Sequence, residues 1–440
     1  MKPTPAYAAI DTWIDAHFDE QVRFLQELVR VPTDTPPGNN TPHAQRTREL
    51  LAALGMTAQA HEVPDALVKA QGMQSITNLV VQRRYGPAGP VIALNAHGDV
   101  VPPGEGWTHD PYGGEIVEGK LYGRAAAVSK SDFSSFVFAT RALEAAGLEL
   151  SGGIDLLFTY DEEFGGELGP KWLLDQGLTK PDLEIAAGFS YQVVTAHNGC
   201  LQMEVTVHGK MGHAAVPETA VDALQAATRA LVALYEENGR LKQHLSAVKG
   251  IRHGYINVGQ IQGGTNTNVV PGKVVLKIDR RMIPEEDPVQ VEAALRALIE
   301  QAVAQVPGTR VEIRRLLLAH AMKPLPGNKL LVDSLCAHAT ELFGEPVEAW
   351  GTPLYTDARL FSERGIPAVI YGAGPRTVLS NRTPSVPTST SCWRTCAAPR
   401  RWWRARWPTC WRPERQAIPG ASRTRPGPGP YSRRSSDTLS

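Results

Sequence analysis

The stretch Val91-Ile92-Ala93-Leu94-Asn95-Ala96-His97-Gly98-Asp99 runs a nearly unbroken apolar segment into a histidine and a carboxylate two residues apart. Residues 91–95 are short and almost uniformly apolar, the pattern of a strand buried on both faces. Residues 76–82 and 154–159 repeat that texture, with helical stretches such as 134–146 between them. The alternation predicts an α/β fold, a mixed, mostly parallel sheet flanked by helices. Upstream, Ile10, Trp13, Ile14, Phe18, Val22, Leu25 and Val29 recur at helical spacing, which predicts an amphipathic helix over 8–30 that stops at Pro32. Turn residues fill 32–41, and a second helix is expected at 47–54.

From Leu201 the texture changes to alternation through Met203, Val205 and Val207. A helix at 220–237, strands at 255–261 and 274–278, a helix at 289–303 and a strand at 311–317 are expected to follow. That β-α-β-β-α-β order is a split βαβ, ferredoxin-like unit. Because a helix at 329–343 and a strand at 368–371 resume the earlier pattern, the small unit reads as an insertion. Residues 1–199 and 319–379 then form one α/β domain, and 200–318 an inserted domain. Length agrees, since 440 residues exceed what one hydrophobic core organises.

The 45 basic and 45 acidic side chains cancel, leaving no net field to draw nucleic acid or an anionic membrane. No apolar run reaches the ~18 residues of a membrane span. Asp11, Asp15, Asp19 and Glu20 interrupt the amino-terminal segment, where a secretory leader needs a basic start and an apolar stretch, so a cytoplasmic protein is expected. Five cysteines make no disulfide framework, and Cys200 and Cys336 are expected to be reduced.

Beyond about Leu379 the composition breaks. Lysine vanishes, and Trp393, Trp402, Trp403, Trp407 and Trp411 supply five of the nine tryptophans. Three readings compete for residues 380–440: a basic aromatic tail for single-stranded nucleic acid, a disordered Arg/Pro tail, and translation out of frame. In the frame one base earlier every Trp or Cys codon becomes NTG, which encodes Leu, Val or Met. The apolar positions so forced, 392, 393, 396, 402, 403, 407, 410 and 411, have the spacing of one helix face, which favours the frameshift.

The chemistry concentrates in two blocks. His97 ends a buried strand, where open α/β sheets place ligands. Such a histidine can bind Zn²⁺ through one ring nitrogen while Asp99 holds the other. Thr159-Tyr160-Asp161-Glu162-Glu163-Phe164-Gly165-Gly166 also follows a strand, and its paired glutamates can divide the roles of metal anchor and proton carrier. Taken singly, a His-x-Asp pair is an ordinary capping arrangement and adjacent glutamates a solvated helix start.

The first block continues through Gly104, Trp107, Asp110-Pro111-Tyr112 and Gly119-Lys120-Leu121-Tyr122-Gly123-Arg124, and with the second it resembles the M20 metallopeptidase and deacylase family. That family includes acetylornithine deacetylase, succinyl-diaminopimelate desuccinylase, aminoacylase and carboxypeptidase G2, and the likeness covers most of residues 8–375. It implies a zinc-exopeptidase-like fold and hydrolysis of the amide bond of a small N-acyl amino acid or peptide. One or two Zn²⁺ or Co²⁺ ions are implied as cofactor, with His97 and Glu163 as ligands, Asp99 orienting His97, and Glu162 as general base. Gly209-Lys210-Met211-Gly212-His213-Ala214-Ala215 resembles the family's lid segment, whose histidine polarises the scissile carbonyl, usually in the partner subunit, which implies a homodimer. Asn268, closing Gly263-Gly264-Thr265-Asn266-Thr267-Asn268, falls where the family contacts substrate, and Arg281 where it often clamps a carboxylate. Gly351-Thr352-Pro353-Leu354-Tyr355-Thr356-Asp357 resembles a stretch lining the substrate pocket.

Three positions depart from the family. Val128 stands where a bridging aspartate belongs, with Asp132 one helical turn away as the nearest substitute. Phe189 stands where another acidic ligand belongs, and the last ligand, a histidine after the final strand, is missing from the frame as given, although in the alternative frame a His codon can straddle Arg382 and Thr383. Two alternatives therefore stay beside the amidohydrolase reading: a mononuclear hydrolase recruiting Asp132, and a catalytically silent small-molecule-binding relative.

Overall fold

The computed structural model describes residues 5–372; the tail from 380, with its frameshift reading and its histidine, lies outside the described residues. An eight-stranded sheet runs in the order Gln59–Glu62, Thr77–Arg84, Gly153–Thr159, Val91–His97, Leu183–Gly188, Ala368–Gly372, Val193–His197, Ala349–Thr352. Val91–His97 lies inside it, parallel to both neighbours. Antiparallel pairing is confined to the Thr77–Arg84 edge and to the single match of Ile370 with Val194. One face is covered by the helices Pro5–Val29 and Lys130–Ala145, which pack on each other and join Phe24, Leu28, Phe133, Phe136 and Phe158 in one core. Leu173, Ala358 and Phe361 cover the other face against Leu157 and Ile370. This double cover is why the central strands are apolar at nearly every position.

A four-stranded antiparallel sheet, in the order Tyr255–Gly263, Lys273–Met282, Gly199–His208, Arg310–Ala319, occupies the inserted stretch. Leu201, Met203, Val205 and Val207 are buried and alternate with half-buried Gln202, Glu204 and Thr206, so one face of this sheet meets the helices Ala223–Leu241 and Pro288–Val303. Asp222 and Asp287 fix the helix starts: each accepts hydrogen bonds from the two backbone N–H groups two and three residues on, at 2.8 and 3.1 Å and at 2.9 and 3.0 Å. The first of these helices therefore begins three residues later than its apolar spacing implied. Among the described residues no helix is long and apolar enough to cross a membrane, and Cys200 and Cys336 are free thiols.

Two further differences have physical causes. Gln59–Glu62 forms an edge strand without an apolar signal, because its side chains are mostly exposed and backbone pairing alone holds it. The helix expected from residue 134 starts at Lys130, with Lys130, Ser131 and Asp132 buried. Lys130 donates to the Val31 carbonyl at 2.8 Å, and burial pushes its ammonium down to a pKa of about 7.

Candidate active site

Strands Val91–His97 and Gly153–Thr159 are parallel and in register, His97 opposite Thr159, so the loops that follow both emerge at one sheet edge. Gly98 donates its N–H to the Thr159 carbonyl at 2.8 Å. A Cβ at Gly98 would lie 2.5 Å from Cε1 of the buried Tyr160 ring, so the residue between the histidine and the aspartate has to be glycine. Asp99 is fully buried and accepts the backbone N–H of Glu162 at 3.3 Å and of Glu163 at 3.0 Å, tying the second loop to the first. The same carboxylate stands 3.4 Å from Nδ1 of His97, which also faces the Asp99 carbonyl oxygen at 3.0 Å. Nε2 of His97 is left toward Glu162, whose Oε2 is 3.9 Å away.

Removing Asp99 leaves two half-buried N–H groups without their acceptor, so Asp99→Ala is expected to cost about 2–3 kcal/mol of stability. Urea denaturation checks this, and a loss under about 0.5 kcal/mol would dismiss the clamp.

Beyond these groups opens a cavity of about 320 Å³ walled by His97, Arg124, Glu162, Glu163, Arg281 and Tyr355, among others. Burial raises the carboxyls of Glu162 and Glu163, partly offset by the facing His97. On His97 itself burial works against the charged ring, but Asp99 and then Glu162 outweigh it and raise the imidazole well above its usual range. Arg281 enters from Lys273–Met282, oriented by two bonds to Asp279 at 2.7 and 3.1 Å, with its guanidinium 5.7 Å from the Tyr355 ring centre.

The structure thus gathers His97, Asp99, Glu162, Glu163 and Arg281 at one site. It does not bring Asp132 there. That residue is not among those lining the cavity; it is buried in the first turn of the Lys130–Ala145 helix, where its carboxylate accepts from the Ser131 hydroxyl at 3.2 Å. His213 and Asn268 are likewise absent from the wall of their own chain's cavity, whereas Val128 and Phe189 line it.

A two-metal centre does not fit this donor set. Val128 and Phe189 offer no lone pair, and among the described residues no group of three or more His, Cys, Asp or Glu side chains is arranged around a cation. His97 and Glu163 remain as two donors for one ion.

His197 is a contributor that sequence reasoning passed over. Its Nδ1 faces the Asn198 carbonyl at 2.8 Å and its Nε2 accepts the Thr356 N–H at 3.3 Å, anchoring a loop that lines the cavity. Burial pushes this imidazole down to about 4, so it stays neutral. No local pattern marks it, because the loop it anchors through Thr356 lies far away in the chain.

Comparison with known proteins agrees with this geometry. Residues 195–307 match the peptidase dimerisation domain of M20 proteins. A succinyl-diaminopimelate desuccinylase of Gluconobacter oxydans is 34% identical over 299 residues, covering 64% of this chain and 72% of that protein. An acetylornithine deacetylase of Myxococcus xanthus is 28% identical over 362 residues, covering 80% and 88%. The fold is shared with an M20 family metallo-carboxypeptidase of Sulfolobus solfataricus, at a TM-score of 0.65 and 20% identity over 81% of this chain and 92% of that one. The matched domain and relatives place the chain among hydrolases that act on amide bonds. Within that class the chain belongs to the M20 family of metallopeptidases and deacylases.

Proposed function

We propose that this chain hydrolyses the amide bond of a small N-acyl amino acid or peptide, with Glu162 as proton carrier. The observation that supports it most is the pairing of His97 and Glu162 across 3.9 Å on the cavity wall, with Asp99 bonded to both loops. A glutamate whose pKa is raised by burial is suited to take a proton from the attacking water and pass it to the leaving amine. Arg281, held by Asp279, supplies positive charge for a substrate carboxylate. His97 and Glu163 would hold Zn²⁺ or Co²⁺, which when bound polarises the carbonyl and acidifies water.

The protein works as a homodimer joined through its inserted unit, whose stretch matches a dimerisation domain. His213 and Asn268 then serve the partner's cavity, since neither lines its own.

The test is direct. Purified protein assayed on N-acetyl, N-succinyl and dipeptide substrates is expected to lose activity with chelator, to regain it with Zn²⁺ or Co²⁺, and to retain about one ion per chain by elemental analysis. Undiminished hydrolysis after exhaustive chelation, or two ions per chain, would overturn the metal assignment. No hydrolysis with either metal would overturn the function.

A further inference from the structure

Sheet order divides the cavity into two halves. His97, Glu162 and Glu163 come from the ends of Val91–His97 and Gly153–Thr159, while Phe189, Val194, Ile370 and Leu354 come from or follow the next four strands across. Ile370 pairs with both Ala186 and Val194. A Cβ on Gly188 would meet Ile370 Cγ2 at 2.3 Å, so Phe189 continues directly from that contact. Val128 closes the apolar surface beside His97, because the next residue, Ser129, accepts the His97 backbone N–H at 3.1 Å.

Three side-chain hydroxyls of the apolar half accept bonds from local backbone N–H groups. Ser190 accepts from Gln192 N–H at 2.9 Å, Thr352 from Leu354 N–H at 3.3 Å and Thr356 from Ala358 N–H at 3.3 Å. Asp357 is the one acid this half contributes to the wall, and it is buried. A polar acyl group placed there would give up its hydration for few new hydrogen bonds, whereas an alkyl chain gains contact on several sides.

We infer that Val128, Phe189, Val194, Leu354 and Ile370 form an acyl subsite selecting apolar acyl groups longer than acetyl over acetyl or succinyl. This rests on the amide-hydrolase reading for the substrate class, but binding can be measured apart from turnover.

The experiment is titration calorimetry of the full chain, stripped with EDTA so that nothing is turned over, against N-acyl-glycines from acetyl to octanoyl and against N-succinyl-glycine. Affinity is expected to rise about fourfold per added methylene over the shorter acyl groups, with N-succinyl weaker than N-butanoyl. Val128→Asp is expected to flatten the series, and Phe189→Ala to move its optimum toward octanoyl. Should Val128→Asp fail to fold by circular dichroism, the Phe189→Ala series decides alone. A flat or falling series, N-succinyl as the tightest ligand, or no binding by any member overturns the inference. A rising series without hydrolysis under added Zn²⁺ or Co²⁺ would instead overturn the hydrolase reading and leave the subsite standing.

Discussion

Glu162→Gln is expected to lower kcat by about 10²–10⁴-fold, the range that a positioned general base contributes. KM should change little, because glutamine keeps the shape and the backbone N–H of residue 162 still bonds Asp99 at 3.3 Å. The loss would therefore fall on the step in which the proton moves. Steady-state kinetics on the zinc-loaded variant, with a thermal melt alongside, measures both. Activity within tenfold of the parent, or a matching loss of folded protein, would remove Glu162 from the role. Glu163→Gln should differ in kind, losing metal along with rate, because Glu163 is read as a ligand and its neighbour is not.

The second large effect concerns His213. Gly212–His213 pairs with Val269–Val270, and Ala214 donates to the Asn268 carbonyl at 2.9 Å, so His213 and Asn268 move as one unit. His213 is exposed, with Nδ1 accepting the Ala215 N–H at 3.1 Å. If that unit completes the partner's cavity, His213→Ala should lower kcat by about 10²–10³-fold, the cost of one lost oxyanion contact. Its inactivity should then be curable in trans. Mixing His213→Ala with Glu162→Gln under subunit exchange places one intact glutamate and one intact imidazole at the same site in each mixed dimer. Half the dimers are mixed and each holds one repaired site of two, so activity should return to about a quarter of the parent's. Recovery no greater than the sum of the two separate variants would show that each chain uses its own His213.

Much of this was legible in the residues. Val91 to Asn95 declared a doubly covered strand because burial on both faces leaves little room for polar side chains, and the carboxyl end of that strand marked His97. The alternation from Leu201 to Val207 declared the second sheet in the same way. The readings that failed were those where the cause lay far off in sequence. The helix expected from residue 134 starts instead at Lys130, because it packs against both the sheet and Pro5–Val29, with Ser134 donating to the Gln21 carbonyl at 2.9 Å. Asp132, buried in that first turn, is not among the residues that line the cavity. Leu183–Gly188 carries Glu184, fully buried as its second residue, which conceals a central strand from any test of apolar runs.

Local periodicity, then, determined which segments are helices and strands and which loops hold acid and imidazole, since the face a side chain turns to its neighbours follows from its own backbone. Tertiary structure alone decided that Asp99 joins two loops 63 residues apart, that His213 lies off its own site, and that Val128 and Phe189, already apolar in the sequence, line one cavity. Those outcomes depend on strand order and register. Order and register are set by pairing across the sheet, which no window of sequence contains.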